Sequence, residues 1–163
     1  MDTTEILIKI RKIARSIHLE SKKVQKEYGV SIPQILCLGF LNHSESYQTT
    51  QGEIKKFLNL NSSTTSGIIN RLETKGLIAR LPRSGDKRVV KITLTSKGSY
   101  LLNKVPPLLD DQLTKKLQHQ NSKTLVQLQN SLDLLIDLLE IDPEKTSPYI
   151  TLDEKTEEKN PNI

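Results

Sequence analysis

The sequence predicts a mainly α-helical fold carrying one small β-hairpin, and three observations support this. Apolar residues recur at helical spacing near both ends of the 163-residue chain. Two short helical stretches in its middle are separated by a few Asn-rich residues. Two arms rich in β-branched residues then flank Pro82, Ser84 and Gly85. A chain of this length is about one domain and can bury a working core.

The elements follow in order. Ile6, Ile10, Ile13, Ile17 and Val24 are spaced by four, three, four and seven residues, so residues 4–27 read as one long amphipathic helix. "YGVS" ends it. In "SIPQILCLGFL", Ser31 and Gln34 have capping-box spacing, and Pro33 falls in the first turn, where its missing N–H is harmless. From Asn42 a polar loop leads to a short helix capped by Thr50 and Glu53, with Ile54, Phe57 and Leu58 as its buried side. "SSTTSGIINRLETKG" is the next helix, with Asn61 or Ser62 as cap and Gly76 as stop. Two short helices joined in this way outline a helix-turn-helix. "LIARL" and "VVKITLT" are the arms of the hairpin. Helix returns at "SKGSYLL" and is broken by Pro106 and Pro107. Leu125, Leu128, Leu132, Leu135 and Leu139 then form an a/d-type seam on the last helix. Residues 142–163 are acidic, contain three prolines and are expected to be disordered.

The formal net charge is +5, but its distribution says more. Thr50 to Tyr100 holds ten Lys and Arg against three acids, whereas Glu140 to the end holds seven acids against three Lys. A basic middle third favours a polyanionic partner, the plain alternative being a solvated face. With four Tyr, two Phe and no Trp, the chain lacks the aromatics of a stacking platform for single-stranded nucleic acid. The lone Cys37 excludes an internal disulfide and a Cys-rich zinc site and fits a reducing compartment. The longest apolar run, "ILCLGFL", is far short of a membrane span, and the first residues do not resemble an export signal, so a soluble, cytoplasmic protein is expected.

The sequence contains no nucleophile elbow, Gly-rich phosphate loop or helical His pair, so no enzyme activity, cofactor or metal is expected. His18, His43 and His119 fall on different elements; a regulatory metal site from His43, Glu45 and His119 is outweighed by ordinary surface histidines. Cys37 lies in an apolar helical run and reads as a buried, inert thiol. The helix from Ser62 to Lys75 is more informative. Thr65, Ile68, Ile69 and Leu72 share the face that packs on the domain. The opposite face carries Ser63, Ser66, Gly67 and Asn70, which is small and polar enough for a helix to sink into a major groove. Thr64, Arg71 and Lys75 lie along its flank, suited to phosphates. A solvated face would ordinarily hold Glu and Lys instead.

This order of elements resembles the MarR family of winged helix-turn-helix transcription regulators. The residues that carry the resemblance are "SIPQILCL" and "QGEIKKFLNLNSSTTSGIINRLETKGLIARLPRSGDKRVVKITLTSKG". Within them, "RLETKGLIAR" matches the link from recognition helix to wing, "DKR" the wing tip, and "LTSKG" the strand-to-helix junction. The likeness covers about residues 4–141 and departs at Lys87, where many relatives have Arg, and at Ser62, near which many have Pro.

The resemblance implies a winged helix-turn-helix over 31–98, a helical dimerisation region from 1–30 and 99–141, and a tail over 142–163. It implies a homodimer bound to a pseudo-palindromic double-stranded DNA operator, a repressor role, and a small-molecule effector of unknown identity. The implied DNA-binding residues are Ser62, Ser63, Thr64, Ser66, Asn70, Arg71, Arg83, Asp86, Lys87 and Arg88, with Arg88 in the minor groove and Asp86 holding the wing. Ile6, Ile10, Ile13, Ile17, Leu128, Leu132, Leu135 and Leu139 are the implied dimerisation residues. The rival reading is a winged-helix module that meets an acidic protein.

Overall fold

A computed structural model describes residues 2–83, 85, 88–142 and 146–149. Its elements are α1 (Thr3–Tyr28), α2 (Ile32–His43), β1 (Gln48–Thr50), α3 (Gln51–Leu58), α4 (Ser62–Thr74), β2 (Ile78–Arg80), β3 (Lys91–Leu94), α5 (Ser96–Lys104), α6 (Leu109–Gln118) and α7 (Ser122–Leu138). They form two compact units, one built on α1 to α5 and the sheet, the other being Pro106–Ser147 with α6 and α7. Among the described residues no helix is long and apolar enough to cross a membrane.

The first unit is organised around α2, which touches α1, α3, α4, α5, β1 and β3. Cys37, Leu38 and Leu41 of α2 are fully buried, and Ile54, Leu58, Ile69 and Leu72 close over them from α3 and α4. Local chemistry sets the helix ends as the sequence predicts. Gln34 Oε1 accepts the Ser31 N–H at 3.0 Å at the start of α2. Thr50 Oγ1 accepts the Glu53 N–H at 3.2 Å, and Glu53 Oε2 accepts the Thr50 N–H at 2.9 Å, a reciprocal box at the start of α3. Between α3 and α4 lie Asn59, Leu60 and Asn61. Asn59 takes the left-handed conformation at φ 52°, Leu60 is buried, and Asn61 caps α4 by accepting the Thr64 N–H at 2.8 Å. Gly76 ends α4 at φ 71°, with its N–H on Glu73 O at 2.8 Å and that of Leu77 on Leu72 O at 3.0 Å.

Two expectations need correction. The stretch read as a polar loop contains β1, which pairs antiparallel with β3 in the register Gln48↔Thr93, Thr49↔Ile92 and Thr50↔Lys91. The hairpin of β2 and β3 therefore gains a third strand, in the order β1-β3-β2. Phe57 is exposed and not part of the buried side of α3; it stacks on Phe40 at 4.4 Å, while Ile54 and Leu58 fill the core. The prolines break the helix as predicted, separating α5 from α6.

Helix α5 starts hard against the link from α4 to β2. Thr95 caps it by accepting the Gly98 N–H at 3.1 Å and donates to Gly76 O at 2.7 Å. A Cβ on Gly98 would overlap the Leu77 carbonyl and approach Leu94 Cδ1 to 2.8 Å. Gly98→Ala would gain up to about 1 kcal/mol of helix propensity, but a side-chain rotamer change cannot relieve a clash with backbone. Urea denaturation is expected to show a net loss of about 1–3 kcal/mol; unchanged stability would mean that α5 can shift away freely.

Candidate nucleic-acid interface

Helix α4 is oriented by its apolar side. Thr65, Ile68, Ile69 and Leu72 are all buried as the spacing predicts, and the Thr65 hydroxyl donates to Asn61 O at 2.8 Å. The other side faces outward. Ser62, Ser63 and Asn70 are exposed, while Thr64, Ser66, Gly67 and Arg71 are half-buried. The exposed serines occupy the first turn, where free backbone N–H groups and the helix dipole favour an anion. Ser66 does not stand alone, because its hydroxyl accepts from Gln51 Nε2 at 2.7 Å, a bond that ties the first turn of α3 to the middle of α4.

Arg80 joins the base of the wing to the same helix. Ile78 pairs with Leu94 and Arg80 with Ile92, so the period-two alternation of β2 puts Arg80 on the face of the buried Ile78 and Ile92. Its guanidinium donates to Glu73 Oε2 through Nη1 and to Asn70 Oδ1 through Nη2, the latter at 2.6 Å. Further out, Arg83 and Arg88 are exposed and Gly85 turns at φ 75°. Asp86 and Lys87 lie outside the described residues, and with them the role of Asp86 as the group that holds the wing.

Lys75 does not flank the outer face as the helical spacing implies. Its ammonium donates back to Gly29 O at the end of α1, and Lys97 Nζ donates to Lys75 O at 2.8 Å. The ends of α1 and α4 and the first turn of α5 are thereby joined. Beside them lies a cavity of about 420 Å³ lined by Tyr28, Lys75, Lys97, Tyr100 and Lys104, with Val30, Leu77 and Leu101 as its apolar part. Lys104 Nζ sits 4.3 Å from the centre of the Tyr100 ring.

The MarR family profile matches residues 28–89, from the end of α1 to just before β3. The fold is similar to that of the S. aureus MepR–DNA complex, with a TM-score of 0.60 at 23% identity over 78% of this chain and 93% of that one. Over residues 28–89 the chain thus resembles the MarR family. That family consists of transcriptional regulators, not enzymes. In sequence the chain is 34% identical over 84 residues to the HTH-type transcriptional regulator PecS of Dickeya dadantii. It is 30% identical over 96 residues to the uncharacterized HTH-type transcriptional regulator YsmB of Bacillus subtilis. These matches cover 51% and 59% of this chain, and 51% and 64% of the two relatives. The profile match contains α2, α3, α4 and β2, hence the whole helix-turn-helix and Arg80.

Arg80, Glu73 and Gln51 were not singled out from the sequence, although two signals pointed to Arg80 and Glu73. Alternation places Arg80 on the inner face, and Glu73 is one of only three acids between Thr50 and Tyr100. The predicted apolar seams are open in the single chain. Ile6, Ile13 and Ile17 of α1 are exposed and Ile10 half-buried; Leu128 and Leu132 of α7 and Leu139 at its end are exposed and Leu135 half-buried.

Among the described residues no group of three or more His, Cys, Asp and Glu side chains could hold a metal ion. His43 and His119 each place Nδ1 on a carbonyl one turn back, Gly39 O at 2.8 Å and Lys115 O at 2.7 Å. Glu53 is held below the usual carboxyl range, first by the Thr49 hydroxyl, which donates to it at 2.6 Å, and then by Thr50. Burial pushes the Cys37 thiol up to about 12. At pH 8 the folded protein should therefore alkylate at Cys37 on the order of a thousandfold more slowly than the urea-unfolded chain. Mass spectrometry of iodoacetamide adducts measures this, and similar rates would show an accessible, reactive thiol.

Proposed function

We propose that this chain is a sequence-specific double-stranded DNA-binding transcriptional regulator. It acts in the cytoplasm as a homodimer on a pseudo-palindromic operator and represses by occupying it. The observation that carries this reading is the outward side of α4: a helix held by four buried residues presents Ser62, Ser63 and Asn70 at the surface. Small polar groups on such a helix can reach base edges, and its N-terminus can receive a phosphate. Thr64, Ser66 and Arg71 border that side, and Arg83 and Arg88 extend the basic surface along the wing, where a narrow minor groove concentrates negative potential. Asp86 and Lys87 complete the proposed wing contact. The DNA bound to MepR supports the same use of the fold here.

Residues 31–98 are the DNA-binding part in this reading, and 1–30 with 99–141 supply the dimer. The support is the exposed apolar stripes. Ile13 is 61% and Leu132 49% exposed in the single chain, and apolar surface of this extent is costly to leave in water. Two-fold symmetry would then place half-sites about one helical turn apart. The cavity beside Lys75, Lys97 and Lys104 is the place for an effector, which the two tyrosines and three lysines select as a small anion with an apolar body. Drawing Lys75 from Gly29 O would loosen the hold of α1 on α4 and shift the pair of recognition helices off the groove spacing.

Fluorescence anisotropy on DNA from upstream of the gene tests the reading. Affinity should fall by about a thousandfold or more between 50 and 200 mM salt, as counterion release requires. At fixed salt the fragment should be preferred over bulk DNA by about a thousandfold or more. The lack of any preference at any salt would remove the operator model and favour an acidic protein partner. For the dimer, the double substitution Leu132→Asp and Leu135→Asp should give monomers in sedimentation and weaken operator binding. A persistent dimer would count against the α7 seam.

A further inference from the structure

Arg80 does more than hold the base of the wing. Its Nη2 donates to Asn70 Oδ1 at 2.6 Å while Nη1 donates to Glu73, and its backbone N–H points at Glu73 Oε1 at 3.4 Å. Asn70 and Glu73 are three residues apart and so lie on one side of α4. A guanidinium has donors only, so the Asn70 atom that meets it is the carbonyl oxygen. The Nδ2 amino group is consequently directed away from Arg80, on a residue that is exposed. An asparagine without such a partner can turn its amide end for end and offer either a donor or an acceptor. A charge-assisted hydrogen bond removes that choice.

The geometry points to Arg80 as a specificity-positioning residue, which fixes the Asn70 amide so that α4 presents a hydrogen-bond donor to the DNA. The inference rests on the DNA-binding reading and deepens it. A presented donor pairs with acceptors on base edges in the major groove: purine N7, guanine O6 or thymine O4. It meets cytosine unfavourably, because the cytosine edge offers an amino donor. The bidentate asparagine–adenine pairing is weakened as well, since its acceptor, Oδ1, is already engaged by a cation. Glu73 is the second anchor. It holds the guanidinium in the orientation that reaches Asn70, a fork that a single ammonium cannot reproduce.

The test is selection from a library of randomised double-stranded DNA by the full-length wild type, Arg80→Met, Arg80→Lys and Asn70→Ala, followed by anisotropy on the selected duplex. Wild type should select a half-site with one position depleted in cytosine. Both Arg80 variants should lose that depletion, keep the other positions, and bind the selected duplex about tenfold more weakly. The slope of affinity against salt should not change, because no phosphate contact is removed. Adding Asn70→Ala to either Arg80 variant should cost less than the same substitution costs the wild type. Arg80→Lys retains a cation for Glu73 and keeps the comparison usable where Arg80→Met disturbs folding. An unchanged base profile in the Arg80 variants would overturn the inference alone. So would a uniform weakening on all sequences with a salt slope smaller by about one, which marks a direct phosphate contact. Failure of the wild type to select any consensus would overturn the DNA reading itself, and this inference with it.

Discussion

The burial of one side of α4 decides which way the candidate contacts on that helix face. Ile68, Ile69 and Leu72 each contribute about 1.5–3 kcal/mol on leaving water, and Thr65 joins them because its hydroxyl finds Asn61 O. Neutral hydrogen bonds on the outer side contribute about 0.5–1.5 kcal/mol each, and the charge-assisted bond from Arg80 to Asn70 is outweighed by the summed burial of the inner residues. The apolar side therefore sets the rotation of the helix, and Ser62, Ser63 and Asn70 face outward as a result. The core that receives it is centred on α2, whose Cys37, Leu38 and Leu41 are fully buried. The same burial that makes this core work keeps the Cys37 thiol protonated.

The ends of α4 are held by different means. Its start is positioned by the Asn61 cap and by the left-handed turn at Asn59, both local. Its end is fixed by distant groups: Lys75 reaches α1, Lys97 reaches back from α5, and Thr95 donates to Gly76 O. Ammonium groups on carbonyls at helix C-termini also oppose the negative end of the dipole. Helix α4 thus cannot move at its C-terminal end without disturbing α1 and α5. The cavity lined by Lys75, Lys97 and Lys104 lies at this junction.

Features governed by neighbours in sequence were legible, and those governed by distant partners were not. The capping pair Thr50 and Glu53, the stop Gly76 and the break at Pro106 act within a few residues and are legible from spacing, as is the cap of α4 to within Asn61 or Ser62, of which Asn61 is the one used. Strand β1 was missed because its three residues carry no apolar alternation; they are a strand only by pairing with β3 more than 40 residues on. Phe57 was misplaced because Ile54 and Leu58 already cover the inner side of α3, which leaves the ring to stack on Phe40. Lys75 was assigned by helical angle, but a long flexible chain is directed by its acceptor, and the Gly29 carbonyl comes from 46 residues away. Of the candidate interface, the outer residues of α4 were readable, while the bonds from Gln51 and Arg80 that hold Ser66 and Asn70 required the fold.

The charge of the middle third acquires a physical sense from these bonds. Two of its three acids, Glu53 and Glu73, accept hydrogen bonds within the fold, from Thr49 and Thr50 and from Arg80. Glu53, held by neutral donors, keeps its charge at the start of α3, whereas Glu73 is neutralised locally by Arg80. Lys75 and Lys97, by contrast, are held by carbonyl oxygens, which are neutral acceptors and leave the ammonium charge intact. Cations can therefore be given fixed positions without losing the field they project, whereas pairing each with a carboxylate would have fixed them and cancelled it. Arg80 is the exception. Its charge is matched by Glu73, and what remains to it is geometry: a planar fork that sets the Asn70 amide. In the proposed complex, attraction to a polyanion and selection among base edges would thus be divided between cations held by neutral oxygens and a cation whose charge is already satisfied.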